Sequence, residues 1–157
     1  MDIKIEKANN NDINDILILL NEVLEIHHNI RPDIFNSGKT KYSSEELIEI
    51  INNKLTPVFV AKDNDKLLGY VFLEIKITKD IPYLCDNLSI YIDDLCIKKE
   101  YRKNGIGKLL FNYVKDYAKS INANSITLNV WYGNDLAIKF YNDLGMKPLK
   151  TTMEYKL

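Results

Sequence analysis

The stretch EYRKNGIGKLL, Glu100 to Leu110, constrains this chain more than any other. It sets Gly105 and Gly107 among Arg102, Lys103 and Lys108, directly after the apolar run Leu88 to Ile97. Beyond it, Ile106, Leu109, Leu110, Tyr113, Val114, Tyr117, Ala118 and Ile121 recur at three and four residues, the spacing of one apolar helix face. A strand that hands over to a helix through such a loop commits the chain to an α/β arrangement. The loop also has the makings of an anion cradle. Glycine lets the backbone turn tightly and approach a ligand, the first turn of a helix has unpaired N–H donors, and its dipole favours negative charge.

The chain has 157 residues, enough for one domain with a proper core and short for two, so a single domain over 1–157 is expected. Ile3 to Lys7 alternates as a strand does, and Asn9 to Asp12 supply cap chemistry for a helix to about Ile30, ended by Arg31-Pro32. Ser43 or Ser44 opens a second helix to about Lys54. Pro57 to Ala61 and Leu67 to Ile77 read as strands joined by the turn KDNDK, with Gly69 marking a bulge or a close backbone approach. Leu88 to Ile97 and Ser125 to Trp131 read as further strands. Asn134 can cap a helix through Leu144, Gly145 stands where a C′ glycine belongs, and Lys147 to Leu157 is expected to hold at least one closing strand.

Composition removes several classes of partner. Lysine plus arginine number 21 against 22 acidic residues, so no global field attracts nucleic acid or an anionic membrane. Lys98, Lys99, Arg102, Lys103 and Lys108 lack the interleaved exposed aromatics of a nucleic-acid surface. No segment reaches the roughly 18 apolar residues of a membrane span, and MDIKIEKANN has no apolar signal core. Cys85 and Cys96 form no Cys-x-x-Cys pair, and His27 and His28 are adjacent, so no metal site is expected. These features fit a reducing, cytoplasmic setting.

Two well-known phosphate loops fail letter by letter. A P-loop needs Ser or Thr after Gly107-Lys108, where Leu109 stands, and glycine five positions before Gly107, where Arg102 stands. A dinucleotide fingerprint needs glycine at position 110, which is leucine. The pattern that fits is R-x-x-G-x-G, Arg102 to Gly107, and it resembles the acyl-CoA loop of the GCN5-related N-acetyltransferase (GNAT) family. The resemblance runs through YIDDLCIKKEYRKNGIGKLLFNYVKDYAK, Tyr91 to Lys119, and LNVWYGNDLAIKFYNDLGMKPL, Leu128 to Leu149. In the second block Asn134, Ala137, Tyr141, Gly145 and Met146 match the family's N-x-x-A-x-x-x-Y-x-x-x-G-[FM] region.

What the resemblance implies is concrete. The fold would be α/β of the α+β type, a mixed, largely antiparallel sheet of six to seven strands flanked by about four helices. The activity would be direct acetyl transfer from acetyl-CoA to a primary amine of a small molecule or peptide, without a metal. A non-catalytic acyl-CoA sensor is the alternative, and a homodimer is left open. Arg102, Lys103, Asn104, Gly105, Ile106, Gly107 and Lys108 would hold the diphosphate, while the backbone of Leu95, Cys96 and Ile97 would pair with the pantetheine arm. Asn134 would bond that arm or merely cap its helix. Tyr141 would protonate the leaving thiolate, although its spacing also suits a core aromatic. Asp93, Asp94 or a base-linked water would receive the amine's proton, Asp93 being favoured; strand alternation sends the two aspartates to opposite faces unless a bulge intervenes. Cys96 reads as a buried, inert thiol. His27, His28, Arg31, Asp33, Phe35, Tyr42 and the Pro82 to Asp86 loop are candidate acceptor walls.

Overall fold

The computed structural model describes residues 2–157; Met1, included in the domain expected over 1–157, lies outside the described residues. The elements follow in the order β1 (Ile3–Lys7), α1 (Ile13–Ile30), α2 (Ser44–Asn52), β2 (Val58–Asp63), β3 (Lys66–Thr78), β4 (Asn87–Ile97), α3 (Ile106–Ser120), β5 (Ser125–Leu128) and α4 (Asp135–Asp143), with single 3-10 turns before α1 and α3. Local chemistry sets most of the boundaries. Asn9 and Asp12 form a reciprocal capping box ahead of α1, and Ser43 and Glu46 form another on α2.

The strands form one sheet in sequence order, β1 to β5, with three antiparallel ladders and a parallel β4–β5 pair. Strands β2 and β3 carry nearly continuous apolar runs because both faces of the sheet are covered. On one face α1 and α2 pack Ile16, Leu19, Leu20, Leu47 and Ile51 against Val58, Val60, Tyr70 and Phe72. On the other, α3 packs Ile106, Leu110, Phe111 and Val114 against Val71, Leu73, Ile90 and Ile92. Phe59 anchors that layer, meeting Tyr113 and Tyr117 edge-on at 4.8 and 5.2 Å. Such pairs each add about 0.5–1.5 kcal/mol beyond their buried area. No helix among the described residues is long and apolar enough to cross a membrane.

The sheet has five strands rather than six to seven. Residues 147–157 join no ladder. They are held instead by ion pairs, Glu154 to Arg31 at 3.0 Å and Lys156 to Asp33 at 2.9 Å. The β-run expected to Trp131 also stops at Leu128. That early stop matters, because β4 continues to Ile97 while its β5 neighbour ends opposite Ile92.

Candidate active site

Residues 93–97 of β4 therefore have a partner strand on one side only. Lys98 donates its N–H to Leu68 O on β3. By alternation, the main-chain groups of Leu95 and Ile97 face the edge that β5 has left. Arg102 Nε donates to Ile97 O at 2.9 Å, tying the loop back to the strand end. Gly69 makes this joint tight: a Cβ there would lie 2.6 Å from Cys96 O and from Ile97 Cδ1. Of the two readings open for Gly69, both hold, since the β2–β3 register also shifts beside it.

The loop after β4 has the expected donor set. Gly105, at φ +79°, is the N-cap of α3 and offers no side chain to its amides. The first intrahelical bond is donated by Leu109 to Gly105 O, so the N–H groups of Ile106, Gly107 and Lys108 have no partner among the described residues. Lys103 and Lys108 make no ion pair among the described residues. Asn104 Nδ2 donates to Tyr101 O. The two glycines divide the work differently from the sequence expectation. Gly105 supplies the left-handed turn in open space, whereas Gly107 leaves room for the Phe140 ring of α4, 3.0 Å from where its Cβ would be. Ile106 is a core residue, so any part it takes in ligand binding belongs to its backbone.

The expected conflict between Asp93 and Asp94 is resolved by a bulge. Phe72 pairs with Asp94 and Leu73 with Ile92, leaving Asp93 as the extra residue of β4. Ile90 and Ile92 point to the α3 layer, whereas Asp94, paired with Phe72, and Cys96, paired with Tyr70, point to the α1–α2 layer. Asp93 faces that layer too, accepting from Lys41 Nζ at 2.8 Å and from the Tyr42 hydroxyl at 3.4 Å. Both carboxylates thus lie on the α1–α2 side of β4. Asp94 accepts from the buried Tyr70 hydroxyl at 3.1 Å. Burial, with a smaller push from Asp93, raises its pKa to about 6, against the pull of Lys41 and Tyr70.

Tyr141, on α4, is partly buried. Burial raises its phenol pKa, and the nearby Asp94 charge raises it further. Burial likewise pushes the Cys96 thiol up to about 12, as suits a packing residue. Leu95 and Ile97 pack toward α3. Asn134 Oδ1 accepts from Ala137 N at 3.3 Å, so the capping reading holds, and its Nδ2 makes no hydrogen bond among the described residues.

The acceptor walls are only partly as expected. Tyr42 lies at the carboxylates, stacked on Phe72 with centroids 6.1 Å apart. His27, Phe35 and Arg31 form a packed cluster with Trp131 at the end of α1, and Asp33 is tied to Arg31 and Lys156. His28 bonds Phe35 O. The Pro82 to Asp86 loop is misplaced in the sequence reading: it lies beyond Asn87, at the far end of the β3–β4 hairpin. That puts it ~20 Å along β4 from Asp93, at about 3.3 Å per residue. Lys41 was missed altogether. No local pattern marks it, and its partner is 52 residues away.

The sequence and the fold resemble those of known proteins. A sequence profile described as the acetyltransferase (GNAT) family matches residues 20–146. N-alpha-acetyltransferase 30 of Schizosaccharomyces pombe is 36% identical over 99 residues, which span 63% of this chain and 63% of that protein. A mutant of the BH1408 protein from Bacillus halodurans superposes with a TM-score of 0.94 at 31% identity, covering 98% of this chain and 99% of that one. The aminoglycoside acetyltransferase meta-AAC0020, from an uncultured soil metagenomic sample and in complex with sisomicin, shares the fold at a TM-score of 0.73. It is 21% identical, with 99% and 96% of the two chains covered.

Proposed function

The chain belongs to the acetyltransferase (GNAT) family, and from that premise we propose that it moves the acetyl group of acetyl-CoA directly to a primary amine of a small molecule or peptide. One observation carries the reading. A loop of unpaired amides and free cations follows, on one strand, the two carboxylates that β4 presents where it loses its β5 neighbour. Arg102, Lys103 and Lys108, with the amides of Ile106 to Lys108, are suited to hold the diphosphate. The main chain of Leu95 to Ile97 would take the pantetheine arm in place of the missing strand, with an amide available to the developing oxyanion. Asn134 Nδ2 is available to the same arm.

An alkylamine of pKa about 10.4 is almost fully protonated at neutral pH, and freeing its lone pair costs about 4–5 kcal/mol. A base works best with its pKa near the working pH. Asp94, raised to about 6, suits that role, while Asp93, already bound to an ammonium, suits holding the acceptor's charge. Tyr141 keeps its proton at neutral pH and would deliver it to the departing thiolate. The fission yeast relative is named for N-alpha acetylation and the soil neighbour for aminoglycosides. Acceptors of both kinds are cationic amines, in keeping with two carboxylates on one side of β4.

The test is thiol release from acetyl-CoA across a panel of amines, including peptides and amino sugars. At least one amine should accelerate release, and Tyr141→Phe should slow it about 10²-fold or more. Saturable acetyl-CoA binding with no acceleration by any amine would favour a sensor instead.

A further inference from the structure

The carboxylate pair already holds one primary amine. Lys41, from the segment between α1 and α2, places Nζ 2.8 Å from Asp93 Oδ2, and its side chain is only 36% exposed. No other lysine among the described residues pairs with Asp93 or Asp94. The placement is built from both ends of the segment. On one side Ser37 Oγ and Gly38 N bind Glu25 of α1. On the other, Tyr42 stacks on Phe72, the strand partner of Asp94, and Ser43 caps α2. Between those anchors, the ammonium is held at Asp93, the carboxylate proposed above to hold an acceptor's charge. Burial alone would lower its pKa, but the hydrogen bond to Asp93 and the charges of Asp93 and Asp94 outweigh it.

We infer that Lys41 is itself an acetylation site of this active centre, modified in cis when acetyl-CoA is present and no external amine is bound. This rests on the acetyl transfer proposed above. The new bond joins Nζ to the acetyl carbonyl carbon, and the bond broken is the C–S bond of acetyl-CoA. Of the two protons that the ammonium nitrogen loses, one passes by way of Asp94 to solvent and the other ends on the coenzyme A thiol. The product is a neutral amide, no longer able to form an ion pair with Asp93. Acetylation therefore removes the internal cation that competes with a cationic acceptor for that carboxylate.

The experiment incubates the full chain with acetyl-CoA alone and follows each lysine by peptide mass spectrometry. Lys41 should gain one acetyl group at least about tenfold faster than exposed lysines such as Lys119 and Lys139, since proximity replaces a bimolecular encounter. Its rate constant should be unchanged when the protein is diluted tenfold at fixed acetyl-CoA, as a reaction within one chain requires. Tyr141→Phe should slow it, with the heat-unfolded wild-type chain giving the uncatalysed baseline should that variant not fold. Modification of Lys41 no faster than Lys119, or no faster than in the unfolded chain, overturns the inference. An amine panel run in parallel separates the two failures. Turnover of an external amine with Lys41 unmodified sinks the inference alone, whereas neither reaction occurring sinks the transfer reading and the inference with it.

Discussion

Asp94 sets stability against use. Its folded pKa of about 6 lies above the ordinary 3.8, so the folded state favours the protonated acid. Stability is then greatest below the unfolded pKa and falls as pH rises toward 6, and at neutral pH the fold bears the whole cost. At 1.36 kcal/mol per pKa unit, that cost is on the order of 1–3 kcal/mol. Asp94→Asn should therefore raise the melting temperature at pH 7.5 by roughly 2–12 °C and change it little at pH 4. The same substitution should abolish most amine-dependent thiol release, and the wild-type rate should climb with pH through about 6. Melting curves at the two pH values, with a pH–rate profile, check both; a lower melting point for Asp94→Asn at neutral pH would contradict the assignment. Asp93 and Asp94 were both visible as candidates in the sequence. Their sharing of one face was not, because it depends on a register shift against β3, and no run of residues within β4 encodes its partner's offset. Lys41 was hidden because the carboxylate it pairs with is 52 residues away.

At the scale of elements, what was legible was what is local. The caps at Asn9, Ser43 and Asn134, the left-handed turn at Gly105 and the apolar stripe of α3 each arise from residues within a turn or two of one another. The glycines show where that stops. Gly69 and Gly107 look alike in sequence, yet a Cβ at Gly69 would strike the β4 backbone, whereas one at Gly107 would press only the end of the Phe140 ring. Gly69→Ala should force β3 and β4 apart beside the site, at a cost of about 2 kcal/mol or more, seen as a melting temperature lower by at least roughly 4 °C. Gly107→Ala should shift it by no more than about 4 °C either way, because a gain in helix propensity of about 1 kcal/mol offsets the crowding. Thermal melts of the two variants side by side test this, and equal losses would show that the contacts are misjudged. The closing strand expected in residues 147–157 failed for a complementary reason. An alternating pattern makes a strand only where a ladder partner waits, and here Arg31 and Asp33 hold the segment by its charges instead.

Across the whole molecule, a net charge of −1 conceals a polarised centre. Arg102, Lys103 and Lys108 line the loop at one end of β4, while Asp93 and Asp94 occupy the α1–α2 face of the same strand. An anionic cosubstrate and a cationic acceptor would thus approach one strand from different directions, each guided locally. The most direct test of that account follows the backbone amide resonances of the isotope-labelled protein as coenzyme A is added. The account predicts the largest shifts at Gly105 to Lys108 and at Leu95 to Ile97, saturating together, with affinity weakened by added salt. Saturable binding that leaves those amides unmoved, or no binding at all, would contradict it.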